Sequence, residues 1–258
     1  MDTKLKRELA AIGRNRTSGA AELALRTVDA LDSWIRRSHK ITELQLLEVA
    51  KTLLNAQPEM APLLRLANEA ALSIDAKDPG KSLLSACKAF RLLVTNGPKR
   101  IADLFLKSLP KTQRYIIVTY SYSSTVLRTL IRARGRIVSV SCSEGRPNYE
   151  GRVMAEELAA AGMIVELATD AGLTSTSFSR RQGLFVVGAD DIVEIGRYLY
   201  FVNKVGTKVL TWCASAEGVR TVVVADTSKF VPPELSEFQR KREELLPADE
   251  VWPHAPRG

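Results

Sequence analysis

The sequence has few of the side chains that most catalytic and metal sites use. It contains two histidines, His39 and His254, and neither lies in a motif with a carboxylate or a cysteine. Its three cysteines, Cys87, Cys142 and Cys213, are odd in number and widely spaced, which argues against a disulfide framework and against a zinc site. We therefore expect no metal, no cofactor and a reducing, cytoplasmic environment.

Long apolar runs are also missing. No stretch approaches the ~18 apolar residues of a membrane helix, and the opening MDTKLKRELA is charged where a secretory signal would be apolar. We therefore expect no membrane association. Lys and Arg total 37 against 29 Asp and Glu, a net charge of +8. Most of this excess lies in residues 1–110, with 18 basic against 12 acidic residues, while the remainder has 19 against 17. Such a surplus favours polyanions or acidic protein surfaces, but it is too mild to establish nucleic-acid binding, so direct binding to nucleic acid is not expected.

The sequence pattern changes near residue 110. Residues 1–110 carry apolar side chains at helical spacing, with Ser18 and Thr42 as candidate helix N-caps and a break at Thr95–Pro98. From residue 111, five β-rich runs alternate with helical segments, which predicts a parallel sheet with crossover helices. We therefore predict an α/β protein with a helical domain over 1–110 and a Rossmann-like domain over 111–258.

Polar side chains follow several of the predicted strands. Glu144 and Arg146 lie in the segment SCSEGRPNYEG, where a guanidinium could bind a phosphate or carboxylate, or could form a local ion pair with Glu144. Asp190 ends another strand and could serve in acid–base chemistry or as a helix N-cap; Asp191 is the better cap if Asp190 faces a ligand. The carboxyl ends of parallel strands bind ligands in α/β folds, so both segments are candidate sites.

Three other segments could bind an anion or could merely cap a helix. Asn203 and Lys204 precede a predicted helix that starts at Gly206-Thr207, and Lys229 follows the last strong strand. The segment TSGAAE near the N-terminus could present backbone amides to a phosphate at a helix start.

The first strand ends in TYSYSST (119–125), which is rich in hydroxyl groups. A serine nucleophile needs a neighbouring base, and no histidine is placed to serve. Cys142 comes just before the Glu-Gly-Arg-Pro turn, and a buried structural thiol is the better interpretation. The hydroxyl-rich segment therefore predicts binding more readily than nucleophilic catalysis.

Five motifs in the same order resemble those of one protein family. EGRPNYEG resembles its Glu-Thr/Ser-Arg-Pro…Gly motif, GADDIV its Gly-Ala-Asp motif and VNKVGT its Ile-Asn-Lys-Ile-Gly-Thr motif, while TSKF and TSGAAELAL match as well. The family unites the alpha, beta and delta regulatory subunits of translation initiation factor 2B with ribose-1,5-bisphosphate isomerase and methylthioribose-1-phosphate isomerase. The resemblance covers nearly the whole chain.

The resemblance implies a helical N-terminal domain, a Rossmann-like C-terminal domain that forms a homodimer, and a sugar-phosphate pocket between the domains. It matches Asp190 to the catalytic carboxyl of the isomerases. The residues that it assigns to binding a phosphorylated sugar or nucleotide are Gly19, Ala20, Ala21, Ser123, Glu144, Arg146, Asn203, Lys204 and Lys229.

The sequence departs from the isomerase pattern at several positions. Ser121 stands where the isomerases have their catalytic cysteine, and TYSYSS instead resembles the regulatory subunits, which are not isomerases. Gln57 replaces a family arginine, Glu150 stands where glutamine is common, and three extra residues lie within IGRYLYFV. Cys142, on the neighbouring strand, is a minor candidate to replace the lost thiol.

Three functional hypotheses follow. The first is a regulatory or binding member of the initiation factor 2B family that binds a sugar phosphate or nucleotide without cysteine-dependent chemistry. The alternative is an aldose–ketose isomerase acting on a pentose phosphate such as ribose-1,5-bisphosphate, in which Asp190 moves the proton and Ser121 or Cys142 assists. The third is a dimeric scaffold that binds a translation factor through its basic helical domain and takes no small ligand.

Overall fold

The computed structural model describes residues 1–15, 18–58, 60–176, 178, 183–235 and 251. By their packing these residues form two units, which we describe separately. The helical unit contains residues 1–97, 190–202 and 226–235, and the sheet unit contains residues 98–189, 203–225 and 251. The predicted domain boundary at residue 110 stays a prediction; the division between the two units falls inside a helix, after Gly97.

The helical unit is built on amphipathic helices whose apolar faces meet in one core. They are α1 (Thr3–Arg14), α2 (Ala20–Arg37), α3 (Glu43–Ala56), α4 (Ala61–Leu72) and the first part of α5 (Pro79–Ser108). Leu31, Trp34, Leu46, Leu53 and Leu63 are almost completely buried in this core. Burying each such side chain contributes about 1.5–3 kcal/mol, so packing of these faces stabilises the helices more than their intrinsic propensity does.

Two predicted helix starts have different outcomes. Thr42 caps α3 as predicted: its hydroxyl accepts from the Gln45 amide at 3.3 Å, and the Gln45 side chain accepts from the Thr42 amide at 3.0 Å. The prediction that Ser18 caps α2 is wrong. Gly19 is the N-cap of α2, and Ser18 instead donates its backbone N–H to the Asn15 side chain at 2.8 Å.

The prediction of a helix break at Thr95–Pro98 is also wrong, because α5 continues through it. Pro98 removes one backbone donor, which costs a helix roughly 3 kcal/mol in isolation. On either side of Pro98 the helix buries Val94 and Ala102. Packing of the two halves of α5, each within its own unit, therefore outweighs the local signal of the Asn-Gly-Pro sequence.

Asp190 and Asp191 lead into a strand, so the alternative that either caps a following helix is wrong. Strands β5 (Asp191–Ile195) and β6 (Tyr198–Val202) pair antiparallel in the helical unit, and the three extra residues of this region fall in that pair. Asp191 is fully buried, and its side chain accepts from the backbone N–H of Ala61, the first residue of α4. Asp191 thus satisfies a helix start that is distant in sequence.

The sheet unit confirms the predicted parallel sheet. Its strands are β1 (Tyr115–Thr119), β2 (Ile137–Ser143), β3 (Val165–Ala168), β4 (Gly183–Val187) and β7 (Arg220–Val223). They are all parallel, in the order β3-β2-β1-β4-β7. The chain turns in opposite directions from β1, towards β2 on one side and β4 on the other, which makes the carboxyl ends of β1 and β4 the position where open α/β sheets bind ligands.

The remaining helices connect the strands of the sheet unit. They are α6 (Ser124–Arg132), α7 (Glu150–Ala160), the short α8 (Gly172–Thr176) and α9 (Thr207–Ala216). The core between the sheet and these helices includes Ile117, Val140, Met154, Leu158 and Val186. Within the described part of the chain, no helix is long and apolar enough to span a membrane.

Candidate functional site

Two loops at the carboxyl edge of the sheet carry most of the predicted site residues. β1 ends at Thr119 and leads to Ser121 and Ser123, while β2 ends at Ser143 and leads to Glu144 and Arg146. β1 and β2 are paired neighbours, with Thr119 opposite Cys142. The sheet register therefore brings these two loops to one edge of the sheet unit.

Glu150 joins two of the predicted residues. The Ser121 hydroxyl donates to Oε1 of Glu150 at 3.0 Å, and the Lys204 ammonium donates to the same oxygen in a short ion pair. The Lys204 and Glu150 side chains are both partly buried, which reduces the screening of their attraction by solvent. Oε2 of Glu150 is buried and has no hydrogen-bond partner among the described residues.

The backbone at Ser121 is held in an unusual conformation. Its φ of 64° lies in the left-handed region, which L-residues other than Gly, Asn and Asp seldom adopt. The hydrogen bond to Glu150 fixes the side chain of this residue. Sequence reasoning found no base near Ser121 because Glu150 is 29 residues away and meets it only through the strand–helix packing.

The Glu144–Arg146 loop is fixed by a carboxylate from the next strand connection. Asp170 accepts from the backbone N–H of Gly145 and of Arg146, each at 2.8 Å. The Arg146 guanidinium donates to the Tyr149 hydroxyl at 2.5 Å and to the Val251 carbonyl at 2.9 Å. Sequence reasoning does not identify this contact, because the pairing of Asp170 with two specific amides depends on the β2–β3 register.

The alternative that Glu144 and Arg146 form a local ion pair is wrong. The Glu144 carboxylate lies 3.4 Å from the Arg152 guanidinium, one helical turn into α7. Arg152 also stacks on the Tyr149 ring, with its guanidinium carbon 3.9 Å from the ring centroid. Among the described residues, the Arg146 guanidinium donates to a phenol and a carbonyl and forms no ion pair, whereas Arg152 is the partner of Glu144.

Gly151 allows α7 to start directly against the end of β2. A Cβ at this position would lie 1.8 Å from the Ser143 carbonyl oxygen, closer than any side chain can approach. The Gly151 amide donates to the Glu144 carbonyl at 3.2 Å. This close approach positions the Glu150 carboxylate, since Glu150 is the preceding residue.

Ser123 and Asn203 act locally in this structure. The Ser123 hydroxyl caps α6 by accepting from the Val126 amide at 3.3 Å. The Asn203 amide donates to the Thr207 hydroxyl at 3.1 Å, at the start of α9. Gly206, at φ 99°, is the N-cap of α9, so the predicted helix does follow Asn203 and Lys204. Ser123 lies in the loop after β1, at the carboxyl edge of the sheet, and Asn203 lies just before the start of α9.

Cys142 is a structural thiol, so its minor role as a replacement nucleophile is wrong. Its side chain is about 1% exposed and lies in the core of the sheet unit. Burial raises the pKa of this thiol to about 12, which leaves almost none of it as the reactive thiolate near neutral pH. The neighbouring Tyr120 is buried too; burial, with smaller effects of the Asp170 and Glu150 charges, raises its pKa to about 12.

In the helical unit, Lys229 lies among three aspartates. The Lys229 side chain is about 7% exposed, and burial lowers the pKa of its ammonium. The negative charges of Asp190, Asp226 and Asp191 oppose that shift, in this order of size. The structure therefore brings together two predicted residues, Asp190 and Lys229, in a buried charged group.

The start of α2 holds the remaining predicted residues. Gly19 is its N-cap, and the carbonyl of Gly19 accepts from the Leu23 amide at 3.1 Å. Ala20 is buried and Ala21 is partly buried. Gly19 has no atom within 4 Å of the position of a Cβ, so the backbone before α2 is open on that side.

Gln57 stands where the family of the resemblance has an arginine, and its neutral side chain caps the carboxyl end of α1. Its amide nitrogen donates to the carbonyls of Ile12 at 3.1 Å and Asn15 at 2.5 Å, and more weakly to that of Gly13. The side chain is buried and adds a donor at the carboxyl end of α1, where the Ile12 carbonyl also accepts from the Asn15 amide at 3.1 Å. At this position the chain therefore has a structural cap in place of the arginine of the resemblance.

The comparison with known proteins agrees with these motifs. Residues 16–255 match the Initiation factor 2 subunit family. The chain is 29% identical over 222 residues to a putative translation initiation factor eIF-2B subunit 2-like protein of Pyrococcus horikoshii, covering 85% of this chain and 76% of that protein. It is 28% identical over 222 residues to a ribose 1,5-bisphosphate isomerase of Archaeoglobus fulgidus, covering 83% of this chain and 68% of that enzyme.

Solved structures share the fold. The translation initiation factor eIF-2B of P. horikoshii superposes with a TM-score of 0.77 at 28% identity, over 90% of this chain and 82% of that one. Two further structures have lower sequence identity and therefore show the fold alone. The tetrameric eIF2B-beta2-delta2 complex of C. thermophilum has a TM-score of 0.72 at 18% identity, covering 95% of this chain and 80% of that chain. The 5-methylthioribose 1-phosphate isomerase of P. horikoshii has a TM-score of 0.67 at 20% identity, covering 96% of this chain and 74% of that chain. With 240 of its 258 residues matched, the chain belongs to the Initiation factor 2 subunit family.

Proposed function

We propose that the chain is an initiation factor 2B-like regulatory protein that binds a phosphorylated sugar or nucleotide without cysteine-dependent isomerase chemistry. The observation that carries the proposal is Ser121 itself, which stands at the carboxyl end of β1 where the isomerases of the resemblance have a cysteine, and whose neighbour Glu150 is already paired with Lys204. A thiol ionises readily when activated, whereas a serine hydroxyl does not. The one thiol on the neighbouring strand, Cys142, is buried in the core.

The Glu144–Arg146 loop supplies the anion-binding groups of this proposal. In the described part of the chain, the Arg146 guanidinium is held by a phenol and a carbonyl and forms no ion pair, which supports its binding to a ligand phosphate. Asp170 fixes the backbone of the loop through two amides. A loop held in place before binding loses less conformational entropy when the ligand arrives.

The helical unit supplies a second set of groups in this proposal. Lys229 is a buried lysine beside Asp190, Asp226 and Asp191, whose charges oppose the lowering of its pKa by burial, and it would donate hydrogen bonds to a ligand oxygen. The Gly19–Ala21 amides at the start of α2 match the helix-start geometry that binds phosphates. Glu144, Ser123 and Asn203 contribute polar groups for the sugar hydroxyls.

Calorimetric titration tests the proposal. Ribose-1,5-bisphosphate, ribose 5-phosphate and uncharged ribose would each be titrated into the wild-type chain, Arg146→Ala and Arg220→Ala. Arg220 is an exposed arginine at the amino end of β7, and its replacement removes the same charge away from the loop. We expect saturable binding of the phosphorylated sugars that Arg146→Ala abolishes and Arg220→Ala retains. Equal binding by all three proteins would contradict the assignment of the site.

The alternative function is an aldose–ketose isomerase on a pentose phosphate. It is favoured by the 28% identity to a ribose 1,5-bisphosphate isomerase and by Asp190, which lies beside the buried Lys229 ammonium. Here Asp190 would move the proton between C2 and C1 of the sugar, and Lys229 would stabilise the developing negative oxygen. Turnover of ribose-1,5-bisphosphate that disappears in Asp190→Asn would establish this alternative.

The proposal extends to the location and the partners of the chain. We propose a cytoplasmic homodimer formed through the sheet unit, with a translation factor as a possible protein partner. It is supported by family membership and by the solved tetrameric complex of structurally similar C. thermophilum subunits. Sedimentation equilibrium that gives a mass near twice 28.4 kDa would support the dimer, and a monomer at all concentrations would contradict it.

A further inference from the structure

The positive charge of the chain is concentrated in one segment. Residues 98–143 contain nine Lys or Arg residues and a single acidic residue, Asp103. Removing these from the chain's 37 basic and 29 acidic residues leaves 28 of each sign. That balance is made of two opposite parts, because residues 1–97 carry 15 basic and 11 acidic residues and residues 144–258 carry 13 and 17. Residues 98–143 therefore have the densest positive charge of the three segments, which the average over 258 residues conceals.

The topology gathers six of these nine side chains at the amino edge of the sheet. α5 ends at Ser108 and leads into β1, and α6 ends at Arg132 and leads into β2 through a short 3-10 turn. Because β1 and β2 are parallel neighbours, both connections reach the same edge. The six residues, which we call the basic edge, are Lys107, Lys111, Arg114, Arg132, Arg134 and Arg136.

Two arginines of the basic edge are fixed by backbone carbonyls. Arg114 donates to the Ile137 carbonyl at 2.8 Å, at the start of β2. Arg136 donates to the Gln113 carbonyl at 2.6 Å, just before β1. These crossed contacts hold two guanidinium groups beside neighbouring strand starts. Carbonyls orient a guanidinium without cancelling its charge, so both cations stay available to an anion.

The other members of the basic edge are exposed. Arg132 pairs with Asp103 at 2.6 Å, which offsets one charge. Lys107, Lys111 and Arg134 are exposed, and in the described ranges they form no ion pair. Five of the six positive charges of the edge are therefore uncompensated by a neighbouring carboxylate. Charges of one sign at this density produce a local potential that attracts polyanions.

The side chains around the basic edge favour a phosphate backbone over a protein partner. Protein interfaces place aromatic and apolar side chains at their centre, and charged residues are depleted there. In residues 98–136, Leu104 is the one exposed large hydrophobic side chain; Val138 and Ile164 are exposed beside the starts of β2 and β3, and the other exposed residues of 98–136 are mainly Lys and Arg. Arg and Lys are the residues that contact nucleic-acid phosphates.

We infer that the basic edge binds the phosphodiester backbone of a nucleic acid by charge, without reading its base sequence. The edge lies at the opposite end of the strands from the proposed ligand site, about 20 Å away along the seven residues of β2. The inference therefore rests on no part of the proposed function. RNA and DNA duplexes of one sequence should bind with similar affinity, because both present the same phosphates.

Fluorescence anisotropy with labelled RNA and DNA duplexes of mixed sequence tests this inference. The edge variant combines Lys107→Ala, Lys111→Ala and Arg134→Ala, three exposed side chains that form no ion pair within the described ranges. The control variant combines Lys40→Ala, Lys77→Ala and Lys88→Ala, which removes the same charge from exposed positions of the helical unit. Thermal unfolding would confirm that both variants fold.

With five uncompensated charges, the logarithm of the binding constant should fall with the logarithm of salt with a slope of about −4 to −5. The edge variant should lower the size of that slope by about 2–3 and weaken binding about tenfold or more at low salt. The control variant should bind within about twofold of wild type. Equal loss in both variants, or no salt-dependent binding, would overturn the inference. Binding of phosphatidylserine-rich vesicles through the basic edge, with no binding of either duplex, would also overturn the inference.

Discussion

The Ser121 hydroxyl donates a hydrogen bond of 3.0 Å to the Glu150 carboxylate. The two residues come from different loops, one after β1 and one at the start of α7. Lys204 donates to the same carboxylate oxygen, so the hydroxyl, the carboxylate and the ammonium form one group. In this group Lys204 already has a counter-ion, which separates its role from that of Arg146, whose partners are neutral.

The first prediction is that Glu150→Gln strengthens the binding of phosphorylated sugars. The substitution keeps the shape and an acceptor for Ser121 but removes the charge that pairs with Lys204. We expect about tenfold tighter binding of ribose 5-phosphate, equivalent to about 1.4 kcal/mol, measured by calorimetry.

Glu157→Gln is the matched control for this variant. Glu157 lies on the same helix, and its carboxylate accepts from the exposed Tyr122 hydroxyl. It should bind ribose 5-phosphate as wild type does. Weaker binding by Glu150→Gln would mean that Lys204 needs its carboxylate partner to be positioned for the ligand.

The second prediction compares two glycines. In Gly151→Ala the new Cβ would meet the Ser143 carbonyl, so we expect a loss of more than about 4 kcal/mol in the free energy of unfolding. Gly135 has nothing within 4 Å of its Cβ position, and Gly135→Ala should change stability by no more than about 1 kcal/mol. Urea unfolding measures both. Two variants of equal stability would show that the α7 start can move away from β2.

The strands and their carboxyl ends were predictable from the sequence, because β-branched runs and the polar residues after them are local signals. The continuation of α5 past Pro98 was not, because packing on both sides of the proline outweighs a local helix breaker. Neither was the contact of Asp191 with the Ala61 amide, which joins residues 130 apart. Arg146 could be placed in a loop by its motif, but the neutral partners of its guanidinium depend on tertiary structure.

The third prediction concerns thiol reactivity. Burial raises the pKa of both Cys87 and Cys142 to about 12, whereas Cys213 is only partly buried. At pH near 8, the folded chain should react with a thiol reagent at Cys213 alone, and the unfolded chain at all three cysteines. The Cys142→Ala variant should show the same folded-state reaction as wild type. Rapid labelling of Cys142 in the folded chain would contradict its assignment to the core.

The fourth prediction is a pH dependence caused by Lys229. Burial lowers the pKa of this lysine below its ordinary value of 10.5 in the folded chain. Between that lowered pKa and 10.5, the unfolded chain binds the proton and the folded chain does not, so the free energy of unfolding rises with pH in this window.

Urea unfolding of wild type and Lys229→Met across that window measures the effect. The difference between the two proteins should grow in favour of wild type as pH rises, because only wild type contains the lysine that loses its proton. Lys77→Met, at an exposed position, should follow wild type in parallel. A pH-independent difference between wild type and Lys229→Met would contradict a lowered pKa for Lys229.

Proton NMR with ribose-1,5-bisphosphate in heavy water tests the central claim most directly, because it follows binding and proton transfer in one sample. Our account predicts broadened ligand signals with wild type, sharp signals with Arg146→Ala, and no deuterium entering at C2. Deuterium at C2, or new ketose signals, that vanish in Asp190→Asn would contradict it and establish an isomerase in spite of Ser121. Sharp, unchanged ligand signals with wild type would contradict it as well, and would leave the chain as a scaffold without a sugar-phosphate ligand.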